Sequence, residues 1–199
     1  MLLATTSLPL SAPAQLPPGV FAGEPNAALA PAGAYAIDPD HTSVLAKVSH
    51  IGYAMSVFRF DKVSGKLAWN PAQPSASTLQ VSVQTASIAT PVAGFSAELS
   101  GAGFLNTAAF PTATFVSTSF QRTDATHGKV TGVFTMMGQT RPLTLDVTLM
   151  GAGKGFMGHP RLGVQAIGSI DPREFGMSPA NPVFAHPIQL EIDAEFAAS

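Results

Sequence analysis

Between Ile188 and Phe196 apolar and polar residues alternate without interruption. Ile188, Leu190, Ile192, Ala194 and Phe196 fall on one parity, and Gln189, Glu191, Asp193 and Glu195 on the other. A sustained period of two predicts a strand with one dry face and one wet face. Leu143, Leu145, Val147 and Leu149 repeat the pattern against Thr144, Asp146 and Thr148. Leu79, Val81 and Val83 repeat it against Gln80, Ser82 and Gln84. Further strands are predicted over 35–38, stopped by Pro39, and over 41–53, where Val44, Ala46, Val48 and His50 share a face. A long strand or two follow over 55–69, with a bend near Asp61 to Gly65. The remainder are expected over 112–122, 128–137, 141–151, 161–171 and 186–197. Gly138-Gln139 and the stretch Gly151 to Gly155 read as hairpin connections, and the Pro-dense Asn70 to Pro74 as a turn.

One segment departs from this period. Val92, Phe95, Leu99 and Ala102 fall on one helical face, with Thr90 placed as N-cap and Pro91 at the first helical position. Gly94, Gly101 and Gly103 make it a short, weak helix. The whole reads as an all-β chain of eight to ten antiparallel strands with one short helical insertion. A closed barrel explains it best, because closure removes exposed edges; a two-sheet sandwich is the competing architecture.

Composition narrows the function classes. Charged residues are only 11% and the formal net charge is -2, so no electrostatic case exists for nucleic acid. No segment reaches the roughly 18 uninterrupted apolar residues of an integral membrane span. Cys is absent, which excludes disulfides, thiolate catalysis and thiolate zinc sites. Residues 1–33 hold no Lys or Arg. Met1 to Leu10 is a short apolar run, and Ala12-Pro13-Ala14 follows the A-x-A cleavage pattern. Residues 1–14 are therefore expected to be an export signal; because the opening positive charge is missing, the segment reads either as a signal clipped at its front or as a disordered apolar leader. Residues 15–33, rich in Pro, Ala and Gly, read as a linker, and 34–199 as the folded domain.

Candidate chemistry is sparse. The histidines are His41, His50, His127, His159 and His186, and no two are spaced i,i+2 as a strand-borne metal site favours. No metal and no cofactor are expected. There is no G-x-S-x-G elbow, P-loop or G-x-G-x-x-G. Asp38 and Asp40 flank Pro39; they could serve acid–base chemistry, but such residues more often shape a turn. His50 sits on the apolar parity, either as a hydrogen-bonded core histidine or as a polar anchor within a cavity. The inward parity of 161–171 carries Leu162, Val164, Ala166, Gly168 and Ile170, whose small members leave room inside a barrel. Phe134, Met136, Met137 and Met177 could line an adaptable apolar pocket or simply fill the core. Arg59, Lys62, Lys66, Arg141 and Arg173 are the basic residues that could receive an anionic head group.

Four blocks then carry a resemblance. Tyr35-Ala-Ile-Asp38 with His41-Thr-Ser-Val44 and His50-Ile-Gly52 resembles the opening of the YceI-like family. Phe104-Leu105-Asn106 with Phe110 to Phe115, Thr131 to Met136 with Gly138 to Leu145, and Arg173-Glu-Phe175-Gly176-Met177 are similar to its later blocks, in family order. The resemblance implies an antiparallel lipocalin-like barrel, commonly exported to the bacterial periplasm, that holds a long isoprenoid chain such as a polyprenyl phosphate or quinone tail. It tips the balance from packed core to cavity. The ligand-contacting residues expected are Val48, His50, Phe58, Phe60, Phe104, Phe115, Phe134, Met136, Val164, Ala166 and Phe175. Two positions depart from the family pattern. Phe58 stands where Gly is usual, so one end of the tunnel should be shortened or blocked, and Pro172 separates the strand from Arg173.

The expected function is that of a periplasmic or secreted, non-catalytic carrier of a long-chain isoprenoid or similar amphiphilic lipid. The alternatives are a packed-barrel interaction module and an enzyme acting on an amphiphile through His50 or Asp38/Asp40. Edge strands and loops also leave a homodimer open.

Overall fold

A computed structural model describes residues 16–155, 158–177 and 187–199. The expected signal at 1–14 lies outside them. The described residues make eleven strands: β1 Gly33–Ile37, β2 Ser43–His50, β3 Ala54–Phe60, β4 Val63–Trp69, β5 Thr78–Gln84, β6 Ile88–Ala89, β7 Thr112–Arg122, β8 His127–Met136, β9 Gln139–Lys154, β10 Pro160–Ile170 and β11 Ile188–Ala198. One helix, α1 Phe95–Ser100, stands between β6 and β7.

These eleven segments form eight staves, because three long strands are broken. β1 and β2 lie end to end along β11: Ile37 faces Phe196 in one, and Val44 faces Ile192 in the other. The break is a tight turn at Pro39–His41, capped by Asp38, whose carboxylate accepts the Asp40 N–H at 3.1 Å. β3 and β4 form the next stave and β5 and β6 the third, broken side by side at Asp61-Lys62 and Thr85–Ser87. Ser87 stitches the two breaks. Its carbonyl accepts from Asp61 N–H, and its hydroxyl accepts from Lys62 N–H and donates to the Gln84 carbonyl. The backbone groups freed by interrupting the ladders are thereby satisfied.

The staves follow one another as an antiparallel meander, and β1 pairs with β11 to close it, Tyr35 opposite Ala198. The result is an eight-stave closed barrel, as the alternation predicts. Met137 and Gly138, with φ of 51° and 73°, form the tight turn between β8 and β9 where Gly138-Gln139 predicts one.

Three local expectations are corrected. α1 starts at Phe95 rather than after Thr90, and the Thr90 hydroxyl instead accepts from Val92 N–H in a local turn. Gly151 is not in a hairpin. β9 continues through it to Lys154, and the Gly23 backbone crosses so closely that a Cβ at Gly151 would sit 3.1 Å from its Cα, a contact tight enough to press the crossing segment outward. The third concerns residues 24–31, which fall in the Pro/Ala/Gly-rich stretch. They form a strap across one end of the barrel. Glu24 and Ala152 exchange backbone bonds of 3.0 and 2.7 Å, and Ala30 is fully buried. The Ala30 carbonyl accepts from Trp69 Nε1 at 3.2 Å and the Pro31 carbonyl from the Tyr35 hydroxyl at 2.8 Å. The inward side chains gather in two clusters at opposite ends. One holds Ala30, Tyr35, Leu67, Ala152, Leu162 and Phe196 beneath the strap, and the other surrounds Leu99, Leu105, Phe175 and Met177 beneath α1.

Candidate functional site

Between the two clusters the barrel is hollow. A cavity of about 290 Å³ runs along its interior, lined on β11 by Ile188, Leu190, Ile192, Ala194 and Phe196 in succession. At about 3.3 Å per residue and a strand tilt near 40°, that run spans about 20 Å of barrel axis. Period two creates the wall: each stave contributes alternate residues to the lumen and the intervening ones to solvent. Small side chains keep it open. Ala46, Ala113, Ala166 and Ala194 all line it.

Nine of the eleven residues expected from the sequence stand on this wall: Val48, Phe58, Phe60, Phe104, Phe115, Phe134, Met136, Val164 and Ala166. His50 does not. β2 ends at His50, and the chain reverses through Ile51 and Gly52 at positive φ (54° and 79°), leaving the imidazole exposed at the rim. Its parity is inward, but the strand stops where the barrel does. Phe175 is 2% exposed and stands behind the wall, its ring edge-on to Phe134 with centroids 5.4 Å apart.

The two ends differ. At the α1 end Phe58, Phe95 and Phe104 form a chain of tilted and edge-to-face rings, with centroids 6.1 and 6.4 Å apart. Phe58 thus fills the space between β3 and the α1 segment. At the other end the strap crosses the opening, tied to Ala152, Trp69 and Tyr35. The lining continues from Ala27, Trp69 and Pro74 to the β7–β8 hairpin, where Arg122 shares the inward parity of Phe120 while Gln121 and Lys129, opposite each other, stand on the outward parity. Asp124 shapes that hairpin, its carboxylate accepting the Thr126 and His127 N–H groups at 2.8 Å each. These bonds, first the one from Thr126, hold its pKa down at about 2. Lys129 pairs with Asp146.

The basic residues singled out in the sequence lie elsewhere. Arg59 pairs with Asp61 at 2.5 Å, Arg141 donates to the Thr140 carbonyl, and Arg173 is held by Asp171, the residue that caps the turn at Pro172–Phe175. Lys62 and Lys66 do not line the cavity either. The mouth lies at the β7–β8 hairpin, whose polar turn Thr123 to Thr126 is not set apart in the sequence from the other turns.

The closest charged cluster is on neither the mouth nor the lumen. Arg161 Nη1 donates to Asp38 Oδ2 at 2.6 Å and Glu195 Oε1 at 2.7 Å, and the His41 ring lies 3.0 Å from Asp38. Asp38 is thereby held at a pKa of about 2, chiefly by the Arg161 bond and against a smaller effect of burial, while the bond to Asp38 raises His41. The cluster ties the β1–β2 turn to β10 and β11. Among the described residues no group of three or more His, Cys, Asp or Glu is arranged to hold a metal ion.

Comparison with known proteins gives a consistent result. A family model described as YceI-like domain matches residues 35–196. A UPF0312 protein of Pseudomonas putida is 36% identical over 154 residues, covering 76% of this chain and 80% of its own. BcnA of Burkholderia cenocepacia superposes with a TM-score of 0.71 at 21% identity, over 80% of this chain and 98% of its own. A polyisoprenoid binding domain from Saccharophagus degradans, implicated in plant cell wall breakdown, superposes with a TM-score of 0.60 at 14% identity, over 83% of this chain and 98% of its own.

Proposed function

The chain belongs to the YceI-like domain family, and on that footing we propose that it is a non-catalytic carrier of a long-chain isoprenoid or similar amphiphilic lipid. The observation that carries this reading is the continuous apolar cavity that runs from the α1 end to the β7–β8 hairpin. Each CH2 moved from water into such a wall contributes about 0.8 kcal/mol, so affinity accumulates with chain length and without specific polar contacts. The head group would rest at the β7–β8 hairpin beside Arg122, with the chain reaching toward Phe58 and Phe104. The binding recorded for the Saccharophagus domain supports the ligand class. Export to the periplasm, suggested by the apolar leader, belongs to the same reading. The Asp38–His41–Arg161–Glu195 cluster is engaged in bracing the barrel and does not line the cavity, which favours binding over acid–base turnover.

Native mass spectrometry of the protein purified from its own host, followed by solvent extraction, tests this directly. The expected result is a reproducible extra mass that extracts as a long-chain lipid. A bare chain that also takes up no added quinone or polyprenyl phosphate would overturn it in favour of a barrel that works through its outer surface.

A further inference from the structure

The two ends of the barrel are covered by segments held down very differently. At the α1 end the covering segment buries Leu99 and Leu105 and sets Phe95 against Phe58. At the other end the strap buries almost nothing. From Phe21 to Pro31 only Ala30 is buried and Ala27 half-buried, and the two large apolar side chains, Phe21 at 51% and Leu29 at 41%, are exposed. Among the described residues four hydrogen bonds tie the strap to the barrel: the pair exchanged by Glu24 and Ala152, and those from Trp69 Nε1 and the Tyr35 hydroxyl. Its other bonds are its own. The Asn26 side-chain oxygen accepts from Ala28 N–H at 3.1 Å, and Leu29 and Ala30 N–H donate to the Asn26 and Ala27 carbonyls. A segment with its own turn and few buried contacts opens at low cost. The strap also precedes the matched region 35–196, so the family relationship gives it no role.

We propose that the strap is a latched lid through which lipid enters and leaves the lumen, an inference that rests on the carrier reading above. Ala27 and Trp69 both line the cavity, and the Trp69 indole is held by the Ala30 carbonyl. A chain passing this opening therefore meets the strap and the indole together. Lifting residues 24–31 exchanges the four bonds for bonds to water and frees the indole. The lid acts on rates: it slows entry and exit alike and leaves affinity unchanged.

Because the chain has no Cys, the lid can be locked. Glu24 and Ala152 exchange both backbone bonds, so their Cα atoms lie about 5.5 Å apart, within disulfide range. Stopped-flow fluorescence follows uptake and release of dansyl-labelled farnesol by the full chain carrying Glu24→Cys and Ala152→Cys. Oxidation is expected to slow both by about tenfold or more, and reduction to restore the wild-type rates. Tyr35→Phe keeps the buried ring and removes one latch bond, and should speed both by about fivefold. Equal rates in the oxidised and reduced forms, or in Tyr35→Phe and the wild type, would overturn the lid. Trp69 is the one Trp of the chain, so acrylamide quenching reads the latch with no probe present. Oxidation should lower the quenching; an unchanged value counts against the lid whether or not the barrel carries lipid. A probe that enters none of the forms would sink the carrier reading and, with it, the role of the lid in lipid exchange.

Discussion

Replacing Ala166 with Phe is expected to weaken uptake of a long-chain lipid by about tenfold or more while the barrel stays folded. Ala166 is 5% exposed, lies midway along β10 between Val147 and Ile192, and lines the cavity. A phenyl group there projects into the lumen and stops a chain short. Exclusion of only two methylenes forfeits about 1.6 kcal/mol, which already exceeds a factor of ten. The cost to folding should be smaller than the 1–3 kcal/mol typical of overpacking, roughly because the lumen can receive the ring. The measurement is a pair of titrations with a long and a short homologue of one quinone series, alongside a melting curve. Loss for the long homologue with retention for the short one is the expected pattern. Equal affinities for both, unchanged from wild type, would remove Ala166 from the path of the chain.

The second large effect is on stability. Arg161→Met should lower Tm by about 4–8 °C and flatten part of the acid dependence. Arg161, Asp38 and Glu195 side chains are 28%, 14% and 30% exposed, so the network lies between a surface pair worth about 0–1 kcal/mol and a buried one whose disruption costs about 3–5. About 2 kcal/mol is a fair expectation, and a chain of this size loses roughly 2–4 °C per kcal/mol. The sign of the pH effect follows from Asp38. Its folded pKa, about 2, lies below the unfolded value near 3.9, so its contribution is complete above about pH 4 and is lost as pH falls toward 2. His41 acts oppositely: raised when folded, it contributes below its unfolded value of about 6.5 and loses that contribution as pH rises through the folded one. The two windows are separate, so the acid limb reports the carboxylates. Asp124 and Asp171 are also lowered by local bonds and keep their share in the variant. Melting temperatures from pH 2 to 5 that fall in parallel for both proteins would show that Arg161 does not set the Asp38 titration.

Much of this molecule can be read from alternation alone. Wherever one face meets a dry interior, as in β7, β9 and β11, parity gives the inward set, and eight of the expected wall residues follow from it, Phe104 alone coming from the loop after α1. Alternation cannot say where a strand leaves the barrel, and His50 shows the consequence: correct parity, wrong height. Nor does it reveal that β1 with β2 is a single stave, since the break at Pro39 looks like an ordinary end, whereas the long strand with a bend near Asp61 offered for 55–69 matches the stave of β3 and β4. The strap escapes because its backbone is held by Ala152, Trp69 and Tyr35, partners remote in sequence, while its own Pro and Ala carry no period. The mouth escapes for a related reason. Arg122 gains meaning only when the β7–β8 hairpin is seen to end at the strapped opening of the barrel, and Arg173, which looked available, is occupied by its own turn.

The closing of the meander also orders events in time. β1 pairs with β11 across more than 150 residues, Tyr35 with Ala198, and β2 takes its partner from the same final strand. At the usual pace of synthesis, about 5–20 residues per second, the first stave waits roughly 8–30 s for the last. Throughout that interval it can form hairpins but no barrel, and no enclosed lumen exists. The nascent chain is thus kept from premature closure by the order of its own strands, which is the condition an unfolded polypeptide needs if it is to be threaded through a narrow channel before it folds.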